Sequence, residues 1–170
     1  MAEADSRRMN YRKAPPLPGL CAAEARAVSK AIRIIETRYG RRVSDAERMT
    51  DPSAAMSLAR LSIGAENREV FLAMWLDAQH QLIVAERVAV GTLTQTAVYP
   101  REVVRAAIAN NAAAVIFAHN HPSGHTKPSN ADLSLTRVLT DALLLIDVKV
   151  LDHVIVSATE SRSMKSCGLI

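Results

Sequence analysis

Seven consecutive apolar residues, Ala112-Ala113-Ala114-Val115-Ile116-Phe117-Ala118, run directly into His119-Asn120-His121-Pro122-Ser123-Gly124. An apolar run of strand length with no polar alternation reads as a central strand covered on both faces. It ends in histidines where open α/β sheets place their ligands, at the carboxyl end of the strand. Two histidines two residues apart on an extended segment share a face, roughly 6 to 7 Å apart, so both imidazoles reach one ion.

Asp132 supplies a third, hard ligand, which gives His-x-His-x7-Ser-x-x-Asp with two nitrogens and one oxygen. Three protein ligands and an open position is how catalytic zinc is usually held. The same residues have a plainer reading, because Ser129-Asn130-Ala131-Asp132 is also a capping box, with serine capping a helix and a carboxylate returning from the third helical position. The tetrapeptide alone favours the cap. His119 and His121, with Pro122, Gly124 and Pro128 shaping the intervening turn, favour the metal.

The rest of the chain supplies the layers around that strand. Met1 to about Gly19 mixes Arg7, Arg8, Arg12 and Lys13 with Pro15, Pro16 and Pro18, an extended arm. From Cys21 to Tyr39, Ala25, Val28, Ile32, Ile35 and Tyr39 recur at helical spacing and Gly40 stops the run. A second helix follows Asp51-Pro52, with Ala55, Leu58, Ala59 and Leu61 apolar, and ends near Gly64. Glu69 to Asp77 and Gln81 to Val90 read as a β-hairpin turned by Ala78-Gln79-His80. Leu93 to Tyr99 is a loop, and Pro100-Arg101-Glu102 opens a helix that packs Val103, Val104, Ala107 and Ile108 on the sheet. Asn130 to about Leu145 is a helix with Leu135, Val138, Leu139, Ala142, Leu143 and Ile146 on one side. Asp132 lies in its first turn, where the helix dipole favours an ionised carboxylate. Lys149 to Val156 is a strand interrupted by Asp152-His153, and the apolar end of the tail docks on the domain. The expectation is an α/β (α+β) domain, divided as an arm over 1–19, N-terminal helices over 20–64 packing on the domain, and a catalytic domain over 65–170.

Composition narrows the partners. Hydrophobic residues at 49% suffice for a single core, and the formal charge of +4 is unevenly placed. Residues 1–48 carry 11 basic and 6 acidic side chains, against 10 and 11 in residues 49–170. The basic front could contact nucleic acid, although 4% aromatic content offers few stacking platforms for single strands. Cys21 and Cys167 form neither a disulfide framework nor a cysteine metal site. No stretch approaches 18 consecutive apolar residues, and no hydrophobic leader follows the basic N-terminus, so a soluble, cytoplasmic protein with no membrane contact is expected.

His-x-His-Pro-x6-Ser-x-x-Asp resembles the signature of the JAMM metallohydrolases, the MPN domain. With Pro128, Thr136, Leu151-Asp152-His153, Gly91-Thr92, Tyr99-Pro100-Arg101-Glu102 and Gly168-Leu169, the chain is similar to the RadC branch over about residues 30–170. The resemblance implies a twisted mixed β-sheet flanked by helices, a cytidine deaminase-like layering. It also implies zinc on His119, His121 and Asp132, with a water as fourth ligand. Zinc deaminases themselves need His-x-Glu and Pro-Cys-x-x-Cys, which this sequence lacks.

A glutamate at the start of an earlier strand is implied as the base. Glu69, which opens the first strand, is preferred to Glu86, which is expected on the solvent face of the second. Ser129 is expected to donate to the developing oxyanion. The implied reaction is hydrolysis of an amide in a protein or peptide, peptide or isopeptide; the family's traditional link with DNA repair offers a nucleic-acid-associated factor as the alternative. Longer RadC-like proteins carry a helix-hairpin-helix module ahead of this domain, and the expectation here is a short form without it.

Asp152, His153 and Asn120 are candidates for supporting the ligands from behind. Asp152 and His153 read either as support for a ligand imidazole or as a satisfied core hydrogen bond, and Asn120 reads as a backbone-bonding residue. Ser123 suits a turn cap, while His125 and His80 suit solvated turns.

Overall fold

The computed structural model describes Ala23, Glu24 and Lys30 together with residues 52–91 and 97–170. The arm, most of the helix expected over 21–39 and loop residues 92–96 lie outside the described residues. The chain divides between Ala46 and Glu47. In the first unit Ala23, Glu24 and Lys30 are helical; the sheet belongs to the second.

That unit contains α1 (Pro52–Ile63), β1 (Val70–Leu76), β2 (Leu82–Val90), α2 (Pro100–Ala109), β3 (Ala114–Asn120), α3 (Asn130–Leu144), β4 (Lys149–Val156) and β5 (Ser161–Ser163). The five strands form one mixed sheet in the order β2-β1-β3-β4-β5. β1 pairs antiparallel with both β2 and β3, β3 pairs parallel with β4 across the α3 connection, and β5 pairs antiparallel with β4.

The period-2 pleat sorts the apolar residues into two layers. Val70, Leu72, Met74, Leu76, Ile116, Ala118, Val154 and Val156 meet Ala55, Ala59 and Ile63 of α1 on one face. Phe71, Ala73, Trp75, Val115 and Phe117 meet Val103 and Ala107 of α2 and Leu139 and Leu143 of α3 on the other. β1 and β3 are buried throughout because both faces are covered. Gly64 ends α1 where a side chain has no room: a Cβ there would lie 2.5 Å from the Arg60 carbonyl and 2.7 Å from that of Ser157.

Several details differ from the sequence-based expectation, and among them Ile108 of α2 and Leu61 of α1, expected on the packed sides of their helices, are 64% and 53% exposed. β3 begins at Ala114 and keeps His119 and Asn120 inside the strand, because the ladder to β4 continues to Asn120↔Val156. The buried stripe of α3 is Asp132, Thr136, Leu139 and Leu143, whereas Val138, expected on the core side, is 50% exposed. β5, a Ser-Arg-Ser strand too short and polar for an alternation signal, is held by Val154, Ile155 and Val156 of β4. Finally, β4 carries a one-residue bulge. Val115 pairs with Val150 but Ile116 pairs with Asp152, leaving Leu151 without a partner.

That bulge decides where two polar side chains go, since a one-residue slip exchanges the faces of a strand. With it, His153 pairs with Phe117 and lies on the α2/α3 face. Without it, Asp152 would take that place and His153 would face α1.

Candidate metal centre

Phe117 and His119 share the α2/α3 face of β3, and His119 sits directly across the ladder from Phe71. The two rings are stacked, with centroids 6.3 Å apart and planes at 11°. His121 follows one residue beyond the strand, with its amide still bonded to the Val156 carbonyl at 2.9 Å. The chain then turns through Gly124, whose φ of 86° suits glycine, and the Gly124 amide closes the turn on the His121 carbonyl at 3.0 Å. Buried Thr126 ties the loop to Glu160, its hydroxyl donating to the carboxylate at 3.3 Å.

The loop delivers the chain to Ser129, the N-cap of α3. Its Oγ accepts from the Asp132 amide at 3.1 Å, and Asp132 Oδ2 accepts from the Ser129 amide at 2.7 Å. The capping box therefore exists. It does not compete with the metal reading, because the same carboxylate also faces both histidines: Oδ1 lies 3.2 Å from His119 Nε2 and Oδ2 lies 3.5 Å from His121 Nε2. The cap orients the carboxylate, and the remaining lone pairs point at the imidazoles.

His119 Nε2 and His121 Nε2 are 2.9 Å apart, and the three donor atoms all lie within 4.8 Å of one another. Zinc bonds of about 2.0–2.1 Å at a tetrahedral angle set ligand atoms about 3.3 Å apart, so these separations fit one small cation. His121 Nδ1 donates to the His125 carbonyl at 2.7 Å, since a carbonyl can only accept, and this leaves its Nε2 lone pair turned inward.

Burial pushes the Asp132 carboxyl upward, but hydrogen bonds from His119 and His121 and the Ser129 amide outweigh it and hold the group far below the usual carboxylate range. His121 is raised, chiefly by its hydrogen bond to Asp132, with burial opposing. The charge of Glu69 contributes to that rise. Buried His153 is pushed well below the usual imidazole value by desolvation, reinforced by His119.

The other residues singled out in the sequence take distinct places. His153 lies directly behind a ligand, with Nε2 2.8 Å from His119 Nδ1. Its neighbour Asp152 does not reach the ligands: it accepts from Ser163 Oγ at 2.6 Å, the His153 amide at 2.7 Å and the Lys165 amide at 3.1 Å, and so pins the tail to β4. Asn120 likewise points away from the ligands. Its Oδ1 accepts from the Val70 amide at 2.7 Å, and its Nδ2 donates to the carbonyls of Glu66 and Arg68, both at 3.0 Å.

Glu69 precedes β1 by one residue, is half-buried, and by continuing the Phe71↔His119 register falls opposite His121. Glu86, expected in solvent, is instead half-buried and accepts from Trp75 Nε1 at 3.2 Å and Asn110 Nδ2 at 3.3 Å. The fully buried indole N–H requires an acceptor, and Glu86 is it. His125 and Ser123 are exposed in the loop, and His80 sits in the hairpin turn with φ 62°. Thr136, matched in the sequence but given no role there, proves to contact His153 at 2.6 Å. Its position one helical turn after Asp132 was the available signal, since i and i+4 share a helix face.

Comparison with known proteins finds relatives over most of the chain. The family model of the RadC-like JAB domain matches residues 49–169. A protein of Dechloromonas aromatica named only as a UPF0758 protein is 47% identical over 153 residues, covering 89% of this chain and 68% of the relative. One of Nitrosomonas eutropha is 43% identical over 161 residues, covering 95% and 72%. One of Variovorax paradoxus is 57% identical over 119 residues, covering 70% and 53%.

Proposed function

Because the chain belongs to the RadC-like JAB-domain family, we propose that it is a zinc-dependent hydrolase of the JAMM type, cleaving an amide bond in a protein or peptide substrate through an activated water. The observation that carries the proposal is the convergence of His119, His121 and Asp132, one ligand atom from each within 4.8 Å of the others. Two nitrogens and one oxygen leave a coordination position open, the arrangement of hydrolytic rather than structural zinc. Zinc bound there would acidify a water toward neutral pH and polarise the substrate carbonyl.

The chain's own residues supply the remaining chemistry. His121, turned by the His125 carbonyl, and Asp132, turned by the Ser129 amide, present lone pairs from fixed positions. Glu69 is the base: its register opposite His121 and its influence on that imidazole support a carboxylate at the rim of the site. It removes the proton of the attacking water as the oxygen bonds to the carbonyl carbon, then gives it to the amine nitrogen as the C–N bond breaks. Ser129 uses its oxygen to cap α3, and its hydroxyl proton is the donor for the oxyanion. The backbone around the site is held by α3, β3 and the Thr126–Glu160 bond, so these groups act from a preorganised frame.

The test is hydrolysis of paired fluorogenic substrates, one with a peptide and one with a lysine isopeptide bond, by zinc-loaded protein. Cleavage of either that stops with a chelator and returns with zinc is expected. Zinc-loaded protein that cleaves neither, across a varied set of flanking sequences, contradicts the proposal.

A further inference from the structure

We propose that His153 and Thr136 are positioning residues, which fix His119 in the tautomer that offers Nε2 to the metal and join that ligand to the helix carrying Asp132. The inference rests on the metal reading above and concerns what holds its most buried ligand in place.

The direction of every proton in the contact chain follows from donor and acceptor capacity. The Asp132 carbonyl can only accept, so the Thr136 hydroxyl proton occupies the 2.6 Å contact between them. The Thr136 oxygen, its one proton committed, must then accept from His153 Nδ1, also at 2.6 Å. A neutral imidazole protonated at Nδ1 accepts at Nε2, and the partner there is His119 Nδ1 at 2.8 Å. His119 therefore donates from Nδ1, which leaves its Nε2, 3.2 Å from Asp132 Oδ1, to face the metal.

The metal end makes the same demand independently. A ligating Nε2 carries no proton, so His119 must be protonated on Nδ1 and His153 must accept. Both ends impose one proton order, and together they close a ring from the Asp132 carboxylate, through His119, His153 and Thr136, back to the Asp132 carbonyl.

Burial makes the ring dependent on these two side chains. Thr136 and His153 are both 0% exposed and His119 is 1% exposed, so bulk water cannot replace a lost partner. Phe71 and Phe117 pack edge-on against the His153 ring, with centroids 5.4 and 6.0 Å away, and fix its plane. The Leu151 bulge is what brings His153 to this face. The other imidazole is held differently, by the His125 carbonyl in an exposed loop. One ligand is thus fixed by the core and the other by the surface.

Three full-length proteins test the proposal: wild type, Thr136→Val, which keeps the shape and removes the hydroxyl, and Thr136→Ser, which restores it. Zinc affinity is measured by competition with a chromophoric chelator, and the histidine tautomers of metal-free wild type are read at pH 8 from long-range 15N–1H NMR correlations. The expected result is zinc binding weakened about 10- to 100-fold in Thr136→Val, the usual range for losing an outer partner, and recovered to within about threefold of wild type by Thr136→Ser. The NMR spectra should show His153 protonated on Nδ1 and accepting at Nε2. A folded Thr136→Val protein that binds zinc as tightly as wild type overturns the proposal, as does a wild-type spectrum with His153 protonated on Nε2, a result that does not depend on whether either variant folds. Wild type that shows the expected tautomers but binds no zinc would instead remove the metal reading and leave the proton order standing.

Discussion

The two faces of the sheet bury the same kinds of polar side chain and use them differently. Asn120 and Asp152 spend their hydrogen-bonding capacity on neighbouring segments. Asn120 bonds the Val70 amide and the Glu66 and Arg68 carbonyls, and Asp152 bonds Ser163 and the His153 and Lys165 amides. His119 and His153, their immediate neighbours in sequence, lie on the α2/α3 face and bond each other. There the chain of bonds ends at Nε2 atoms 2.9 Å apart beside a carboxylate. A saturated polar network is architecture, whereas one that ends in unspent ring nitrogens beside a carboxylate could hold a metal ion.

The largest effect separating the two networks is expected from Glu69, which a continuation of the Phe71↔His119 register would set opposite His121. Glu69→Gln should lower kcat about 10²- to 10⁴-fold, the usual contribution of a positioned base, with zinc content unchanged. Glu86→Gln, whose carboxylate serves Trp75 and Asn110, should leave kcat within a few-fold while costing stability. Equal effects of the two substitutions on kcat would erase the distinction.

Next in size is Asn120→Ala on the architectural network. Leaving the Val70 amide and two carbonyls without their partner should cost about 3 kcal/mol in urea unfolding, at roughly 1 kcal/mol or more for each group. Zinc per folded chain should not change. A loss below about 1 kcal/mol, the size of a single net hydrogen bond, would show that Asn120 is not what joins the segment before β1 to β3.

Much of this arrangement was legible in the sequence. The apolar run of β3, the hairpin, the proline-opened α2 and the His-x-His spacing each follow from local periodicity or ligand geometry. Asn120 was legible too, because alternation turns it away from its histidine neighbours. The separation of Asp152 from His153 was not. It depends on a bulge that follows from how β4 lies against β3, and no local pattern around Leu151 signals an unpaired residue. Glu86 was misread for a related reason, since its burial is set by the indole of Trp75 on the neighbouring strand. The Ser129–Asp132 motif carried two readings that local sequence sets against each other; the carboxylate has lone pairs enough for both.

The smallest expected effect is on pH dependence in metal-free protein. His153 is depressed in the fold, so below about pH 6.5, the ordinary imidazole value, the unfolded chain binds a proton that the folded chain refuses. Stability then falls with falling pH, at most by about 1.4 kcal/mol per pH unit for one proton. His121 is raised, so its contribution is complete below about pH 6.5 and is lost as pH rises through its folded value. That limb is shallower because His121 is partly screened by solvent. Metal-free protein should therefore be most stable near pH 6.5, as measured by urea midpoints from pH 5 to 8. Stability rising monotonically across that interval would count against the His121–Asp132 interaction.

The central claim is that His119, His121 and Asp132 hold one ion between them. Elemental analysis of protein purified without added chelator, then equilibrated with zinc and desalted, tests it most directly. The account predicts about one zinc per wild-type chain, the stoichiometry of a single three-ligand site, and near-zero zinc in folded His119→Ala, His121→Ala and Asp132→Asn proteins. Zinc content unchanged by these substitutions, or a folded wild-type protein that retains none, would contradict it.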